Sequence, residues 1–233
     1  MRMKALAAAL LLATWALPAN AVTLTPADVG STGTGTFNGL EDGQNLIPQL
    51  GASLSLTLVS IATGSNTWTF DYVYKNTTAA PFTASTGAVG FNTTPNLDAV
   101  AISGFFTGVQ TDANISGGVN HLEFCAHVGS TCSGNSSLGL DPGQTGTGQI
   151  ILSFGGNPGT ISLTDFVNRY QEITGGNYHG ASGIGFGGPT VFINPTAAVP
   201  GPVAGAGIPG LIAACMLLVG LNKRRKQRLL GFA

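Results

Sequence analysis

Few residues in this 233-residue chain have the types and spacing for chemistry, and most of those that do are histidine, cysteine and aspartate. His121, Cys125, His127 and Cys132 lie close together, and imidazole and thiolate are the ligands that zinc prefers. Their spacing matches no familiar zinc module. Cys125 and Cys132 are the only cysteines outside an apolar run that holds Cys215. In an exported domain such an even pair, with Gly129 and Ser130 in the intervening loop, predicts a disulfide. By the chain-entropy estimate it contributes on the order of 2 kcal/mol, enough to pin a hairpin. Trp68, Phe70, Tyr72 and Tyr74 recur at every second position and so share one face of a strand. That face is either core or a stacking platform for sugar rings, with Trp68 and Tyr72 as the contacts, and core is the commoner fate. Asp98, Asp112 and Asp141 with neighbouring carbonyls could hold calcium, although no Asp-x-Asp-x-Asp loop is present. The expectation is a protein without a cofactor and without a dedicated metal centre.

Catalytic signatures are missing. There is no Gly-x-Ser-x-Gly elbow, no His-Glu-x-x-His and no Walker loop. His121-Leu122-Glu123 echoes half of a zinc-deaminase motif without the Pro-Cys-x-x-Cys that completes it. Gly183-Ile184-Gly185-Phe186-Gly187-Gly188 lacks the strand-turn-helix setting of a dinucleotide site and reads as a turn or bulge. The sequence predicts a non-enzyme. Between the two ends of the chain only Lys75 and Arg169 oppose ten carboxylates, a net charge of −8, which repels phosphate backbones and excludes nucleic acid as a partner. Asn76-Thr77-Thr78, Asn92-Thr93-Thr94, Asn114-Ile115-Ser116 and Asn135-Ser136-Ser137 match the glycosylation sequon but read mainly as surface turns.

The elements that must position these residues are short strands. Leu54 to Leu58 and Trp68 to Tyr74 alternate with period two, and Ala88 to Asn92, Val100 to Thr107, His121 to Ala126, Gln149 to Phe154, Ser182 to Phe186 and Thr190 to Ile193 are further candidates. Turn signals such as Thr94-Pro95-Asn96, Asp141-Pro142-Gly143 and Gly155-Gly156-Asn157-Pro158-Gly159 separate them. Many short strands at such spacing predict an all-β, antiparallel β-sandwich or jelly-roll-like domain over residues 22–195. Two stretches resist this reading. Leu163, Phe166, Val167, Tyr170 and Ile173 fit one helical face, with Ser162 and Asp165 as a capping pair and Gly175 as a stop, yet the segment also reads as a strand, which is the favoured choice. Thr23 to Gly43 is the loosest part of the domain.

The ends carry addresses. Arg2 and Lys4, the apolar Ala5 to Leu17 and the small-x-small site Ala19-Asn20-Ala21 form a secretory signal peptide over residues 1–21, with cleavage after Ala21. Residues 196–203 form a Pro- and Ala-rich linker. From Ala204 to Leu221 no residue is charged, which at about 1.5 Å per residue is long enough to cross a slightly thinned bilayer as a helix over residues 204–222. The basic residues Lys223, Arg224, Arg225, Lys226 and Arg228 then mark residues 223–233 as cytoplasmic and everything before the span as external.

Val199-Pro200-Gly201-Pro202, followed by Gly205-Ala206-Gly207-Ile208-Pro209-Gly210-Leu211, the apolar span and the basic cluster, resembles the PEP-CTERM sorting signal of Gram-negative bacteria. Gly201 stands where the commonest form has glutamate, and the Pro-Gly-Pro form is similar to a variant of that signal. Phe70 to Thr78, and Phe166 to Gln171 with the glycine-rich stretch behind it, loosely resemble strands of ectodomains carried on such tails. The resemblance implies export through the Sec translocon, cleavage by signal peptidase, and recognition of the tail by an exosortase-type membrane enzyme near the proline motif. It also implies a final place at the cell surface or in the extracellular matrix, with exopolysaccharide or biofilm as the associated material. The competing expectation is a permanently anchored carbohydrate- or calcium-binding module, and a surface hydrolase stands behind both.

Overall fold

The computed structural model describes residues 21–41, 43–62, 66–133 and 138–194. Ala19, the segment Val199 to Pro202, the apolar span and the basic cluster Lys223 to Arg228 lie outside the described residues, as does Asn135. The strands are β1 (Val22–Leu24), β2 (Thr32–Phe37), β3 (Leu40–Glu41), β4 (Asn45–Leu46), β5 (Ala52–Ile61), β6 (Thr67–Asn76), β7 (Thr83–Thr94) and β8 (Leu97–Gly104). They continue as β9 (Gly108–Gln110), β10 (Ala113–Ile115), β11 (Val119–Leu122), β12 (Phe124–His127), β13 (Thr145–Phe154), β14 (Ile161–Gly175) and β15 (Tyr178–Ile193). One 3-10 turn, Pro26–Asp28, is the sole helical element among the described residues, and none of their helices is long and apolar enough to cross a membrane.

The strands pair antiparallel in the order β8-β13-β6-β5-β2-β15-β14-β7-β12-β9. β15 belongs to both halves of this path. Its first part pairs with β14 and its last part, from Gly187, pairs with β2. Gly187 and Gly188 have φ of 155° and 98°, a backbone that side chains rarely adopt, and a side chain on Gly188 would strike the Phe166 ring. Glycine is therefore what lets the strand change partners there. β1 pairs with β14 at Ile161 to Leu163, the stretch of β14 that β15 leaves unpaired.

Both halves feed one apolar core. Leu54, Leu56 and Leu58 of β5, the four β6 aromatics, and Ile150, Leu152 and Phe154 of β13 come from one side. Phe91, Phe124, Leu163, Phe166, Tyr170 and Ile173 come from the other. Each such side chain stabilises the fold by about 1.5–3 kcal/mol on full burial, which accounts for the strict inward placement of the large ones. Polar groups stitch the halves together inside the core: Tyr74 Oη and Thr86 Oγ1 both donate to Asn168 Oδ1. Asn76, fully buried, donates to Ala84 O at 2.7 Å and Leu140 O at 2.8 Å and accepts from the Thr78 amide at 3.0 Å. It is no surface turn, contrary to the sequon reading.

Leu163 to Ile173 is strand throughout, within β14. Register shifts after Thr164, Arg169 and Gln171, with left-handed φ at Asp165 and Glu172, change the phase of its inward positions. Phe166, Asn168 and Tyr170 alternate inward, and the bulges on either side bring Leu163 and Ile173 into a spacing that imitates a helical face. Val167 and Arg169 point the other way and are still buried, because the β10–β11 hairpin covers that outer face. Arg169 Nη1 donates to Ser116 O in that hairpin at 2.7 Å. The loose segment Thr23 to Gly43 holds β2 and β3, the end of β1 and the 3-10 turn Pro26–Asp28. β2 escaped notice because Gly33 and Gly35 occupy inward positions where a Cβ would overlap Phe192 or the backbone at Gly188.

Candidate functional site

Asn92, Asp112, Asn114, His121 and Glu123 gather at one flank, where β7 passes to β8 and β12 follows the β10–β11 hairpin. Gly117 and Gly118, both with positive φ, turn this hairpin so that Ala113 faces Leu122 and Ile115 faces Val119. That pairing brings Asp112 and His121 together at its base. His121 Nδ1 lies 2.8 Å from Asp112 Oδ1, and Asn114 Oδ1 accepts from the His121 amide at 3.1 Å. Both partners have left-handed φ, 51° and 59°, which non-glycine residues adopt uncommonly. Their side chains are mostly exposed, so solvent screens the pair and it adds little to stability.

Glu123 sits at the break between β11 and β12. Its Oε2 accepts from the Thr93 amide at 2.7 Å and lies 2.7 Å from Thr93 Oγ1, while its own amide donates to Asn92 Oδ1 at 3.0 Å. This locks the carboxylate to the end of β7. Asn96, Leu97, Thr111, Asp112, His121 and Glu123 line an open depression of about 440 Å³. A second, of about 520 Å³, shares part of its lining and runs along Val109 to Asn114, with Thr131 and Cys132 also at its wall. Thr111 and Asp112 are common to both. The arrangement offers an imidazole oriented by a carboxylate, with amides and hydroxyls beside it, which suits hydrogen bonding to a polyhydroxylated ligand.

Cys125 and Cys132 form a disulfide with Cα atoms 6.1 Å apart. It ties the wall of the second depression to β12, and the Cys132 amide donates to Gln110 Oε1 at 3.0 Å. The alternative zinc set is thereby corrected: two of its four ligands are bonded to each other, and the two histidines are on opposite terms with solvent. His121 is exposed whereas His127 is buried against Gly108. His179 is exposed near the start of β15. Asp98 lies beside Gly155, Asp112 pairs with His121, and the Asp141 amide donates to Gln144 Oε1 in a separate turn. Among the described residues no three His, Cys, Asp or Glu side chains group to hold a metal ion.

The sugar-stacking platform is likewise corrected. Trp68 is 0 % exposed and Tyr72 is 1 % exposed. The alternation was right and its direction is inward: Asp71, Val73 and Lys75 take the solvent side. Tyr72 reaches across Gly148, where a Cβ would overlap it, to accept from the Phe106 amide at 3.0 Å and donate to Ser103 O at 3.1 Å. The Asp112–His121 pairing was missed because nine positions separate the two residues. Gly117-Gly118 midway between them was the available signal.

Burial holds the His127 pKa below its usual value of 6.5, a hydrogen bond donated by the imidazole to the Gly129 backbone opposing it in part. The unfolded chain therefore takes up the proton first, so the stability that neutral His127 contributes is full above about pH 6.5 and is lost as pH falls through the lowered folded value. Melting temperature is expected to fall between pH 7.5 and 5, and His127→Gln is expected to flatten that slope. Equal slopes in the two proteins would refute the assignment.

Comparison with known proteins finds no matching family model, no matching curated protein and no matching solved structure.

Proposed function

We propose that the chain is an exported, non-enzymatic surface or extracellular-matrix protein with a β-sandwich domain, sorted by an exosortase-type system and associated with exopolysaccharide. The observation that carries this reading is the order of Val199-Pro200-Gly201-Pro202, the uncharged run Ala204 to Leu221 and the cluster Lys223 to Arg228, together with Arg2, Lys4, the apolar Ala5 to Leu17 and Ala19-Asn20-Ala21 at the other end. Three features support it. Ala21 directly precedes β1, so cleavage there removes no strand. The last strand ends at Ile193, before the proline motif, so processing near Pro200-Gly201-Pro202 would also leave every described strand whole. The Cys125–Cys132 disulfide suits an oxidising compartment.

The sequence of events is export through the Sec translocon, loss of residues 1–21 to signal peptidase, arrest of the span in the inner membrane with the basic cluster inside, and cutting near the proline motif. A second reading, a permanently anchored carbohydrate- or calcium-binding module, is favoured in its carbohydrate form by the polar depressions around Asp112 and His121, and neither by Trp68 and Tyr72, which are buried, nor by any grouping of carboxylates among the described residues. Intact mass of the protein from its native host, with and without the sorting enzyme, separates the two. A C-terminus between Val199 and Val203 that depends on the enzyme is the expected result. A mass retaining Ala233 in both strains would overturn it in favour of the anchored module.

A further inference from the structure

We infer that Asn114 is a glycosylation site, the acceptor of an oligosaccharide joined through its side-chain amide. Asn76, Asn92, Asn114 and Asn135 each open an Asn-x-Ser/Thr sequon, and the structure separates them. Asn76 is fully buried and donates to two backbone carbonyls in the core. Asn92 is half-buried within β7, its Nδ2 donating to Asp165 Oδ2 at 3.2 Å and its Oδ1 accepting from the Glu123 amide at 3.0 Å. Asn135 lies outside the described residues. Asn114 is exposed, and its Nδ2 meets no hydrogen-bond partner among the described residues. It is also the one sequon asparagine with a carboxylate two places earlier: Asp112 precedes it, whereas Tyr74, Gly90 and Ser133 precede the others. Asp112-Ala113-Asn114-Ile115-Ser116 thus has the five-residue acidic form of the sequon that bacterial transfer uses.

The hairpin displays that motif. Ala113 and Ile115 are buried, whereas Asp112, Asn114 and Ser116 are exposed, so the three residues a transferase must grip are the three that face solvent. The register shifts at Asn114, with Ala113 opposite Leu122 and Ile115 opposite Val119. β10 has only three residues and pairs with β11 in a sheet of its own, so drawing it into a transferase parts no strand of the main sheet. The co-substrate is a lipid diphosphate-linked oligosaccharide. The Asn114 amide nitrogen attacks the anomeric carbon of that donor, and a C–N bond forms as the bond from this carbon to the diphosphate oxygen breaks. The diphosphate leaves with the electron pair and takes up the proton lost from the amide, and nothing is oxidised or reduced. Asp112 gives the transferase a charge to pair with, and Ser116 a hydroxyl to hold. Asn114 lines the larger depression, so the attached sugar starts at its rim.

This inference rests on the export proposed above, because acceptor asparagines of this kind belong to secreted chains. The test is peptide mapping by mass spectrometry of the full-length protein expressed in its native host. An oligosaccharide on the peptide holding residues 112–116, and none on those holding Asn76 or Asn92, is the expected result. Asn114→Gln and Ser116→Ala are each expected to abolish it, Asp112→Asn to remove most of it, and Asn92→Gln to leave it in place. Ser116→Ala deletes only an exposed hydroxyl and keeps the carbonyl that Arg169 holds, so its loss of sugar is not a loss of fold. Circular dichroism of each variant checks this. A bare Asn114 on a chain that begins at Val22 would overturn the modification and leave export standing, whereas a bare Asn114 on a chain that keeps residues 1–21 would overturn both. Sugar that persists in Asn114→Gln or Ser116→Ala would assign it to another residue and refute the site.

Discussion

Alanine in place of Asn76 is expected to destabilise the domain by about 3–5 kcal/mol. The side chain is fully buried and makes three hydrogen bonds to backbone groups, so its removal leaves the carbonyls of Ala84 and Leu140 and the amide of Thr78 without their partners. Each buried group left unsatisfied costs about 1–3 kcal/mol, and water can relieve only part of that in a closed site. For a domain of this size the corresponding fall in melting temperature is roughly 10 °C. Asn76→Asp is expected to do no better, because it keeps an acceptor for Thr78 but loses both donors and buries a charge. Asn114→Ala is the control: Asn114 is exposed and accepts only from the His121 amide, and its loss is expected to cost under about 1 kcal/mol. Thermal melts of the three variants check this, and a shift for Asn76→Ala no larger than for Asn114→Ala would refute it.

Trp68→Ala is expected to cost about 3–5 kcal/mol through the cavity it leaves between the halves of the sheet. Tyr72→Phe is expected to cost less, about 1–2 kcal/mol, because the ring remains and only the link from Ser103 O to the Phe106 amide is lost. Both effects are on stability and neither is on sugar contact. The check is a denaturant titration beside a pull-down with the host's exopolysaccharide. Loss of stability with unchanged binding per folded molecule is the expected pair of results. Weakened binding by a Tyr72→Phe protein of unchanged stability would return the aromatic row to a surface role.

How far the sequence alone carries the reader differs from strand to strand, for physical reasons. β5 and β6 were legible because large apolar side chains alternate without interruption, each at an inward position. β2 was not, since two of its three inward positions, Gly33 and Gly35, are glycine where β15 crosses, and only Phe37 registers as apolar there. β14 was legible only as an ambiguity, its bulges converting a period of two into the spacing of a helix face. The disulfide pair could be read from cysteine arithmetic. The depression around Asp112 and His121 could not, because it depends on a hairpin folding back over nine positions and on Glu123 being held by Thr93 from β7.

The shared strand β15 also sets the order in which this chain can fold. β2 is made within the first forty residues, yet its partner strand is completed only at Ile193, so one of its edges waits while nearly the whole domain is synthesised. β14 likewise receives β1 at one end and β15 at the other, from opposite ends of the sequence. Contacts of such long separation make folding slow and late. The fold is therefore sealed by the last of the described strands, and a chain cut short of Ile193 would leave β2 as an unclosed seam.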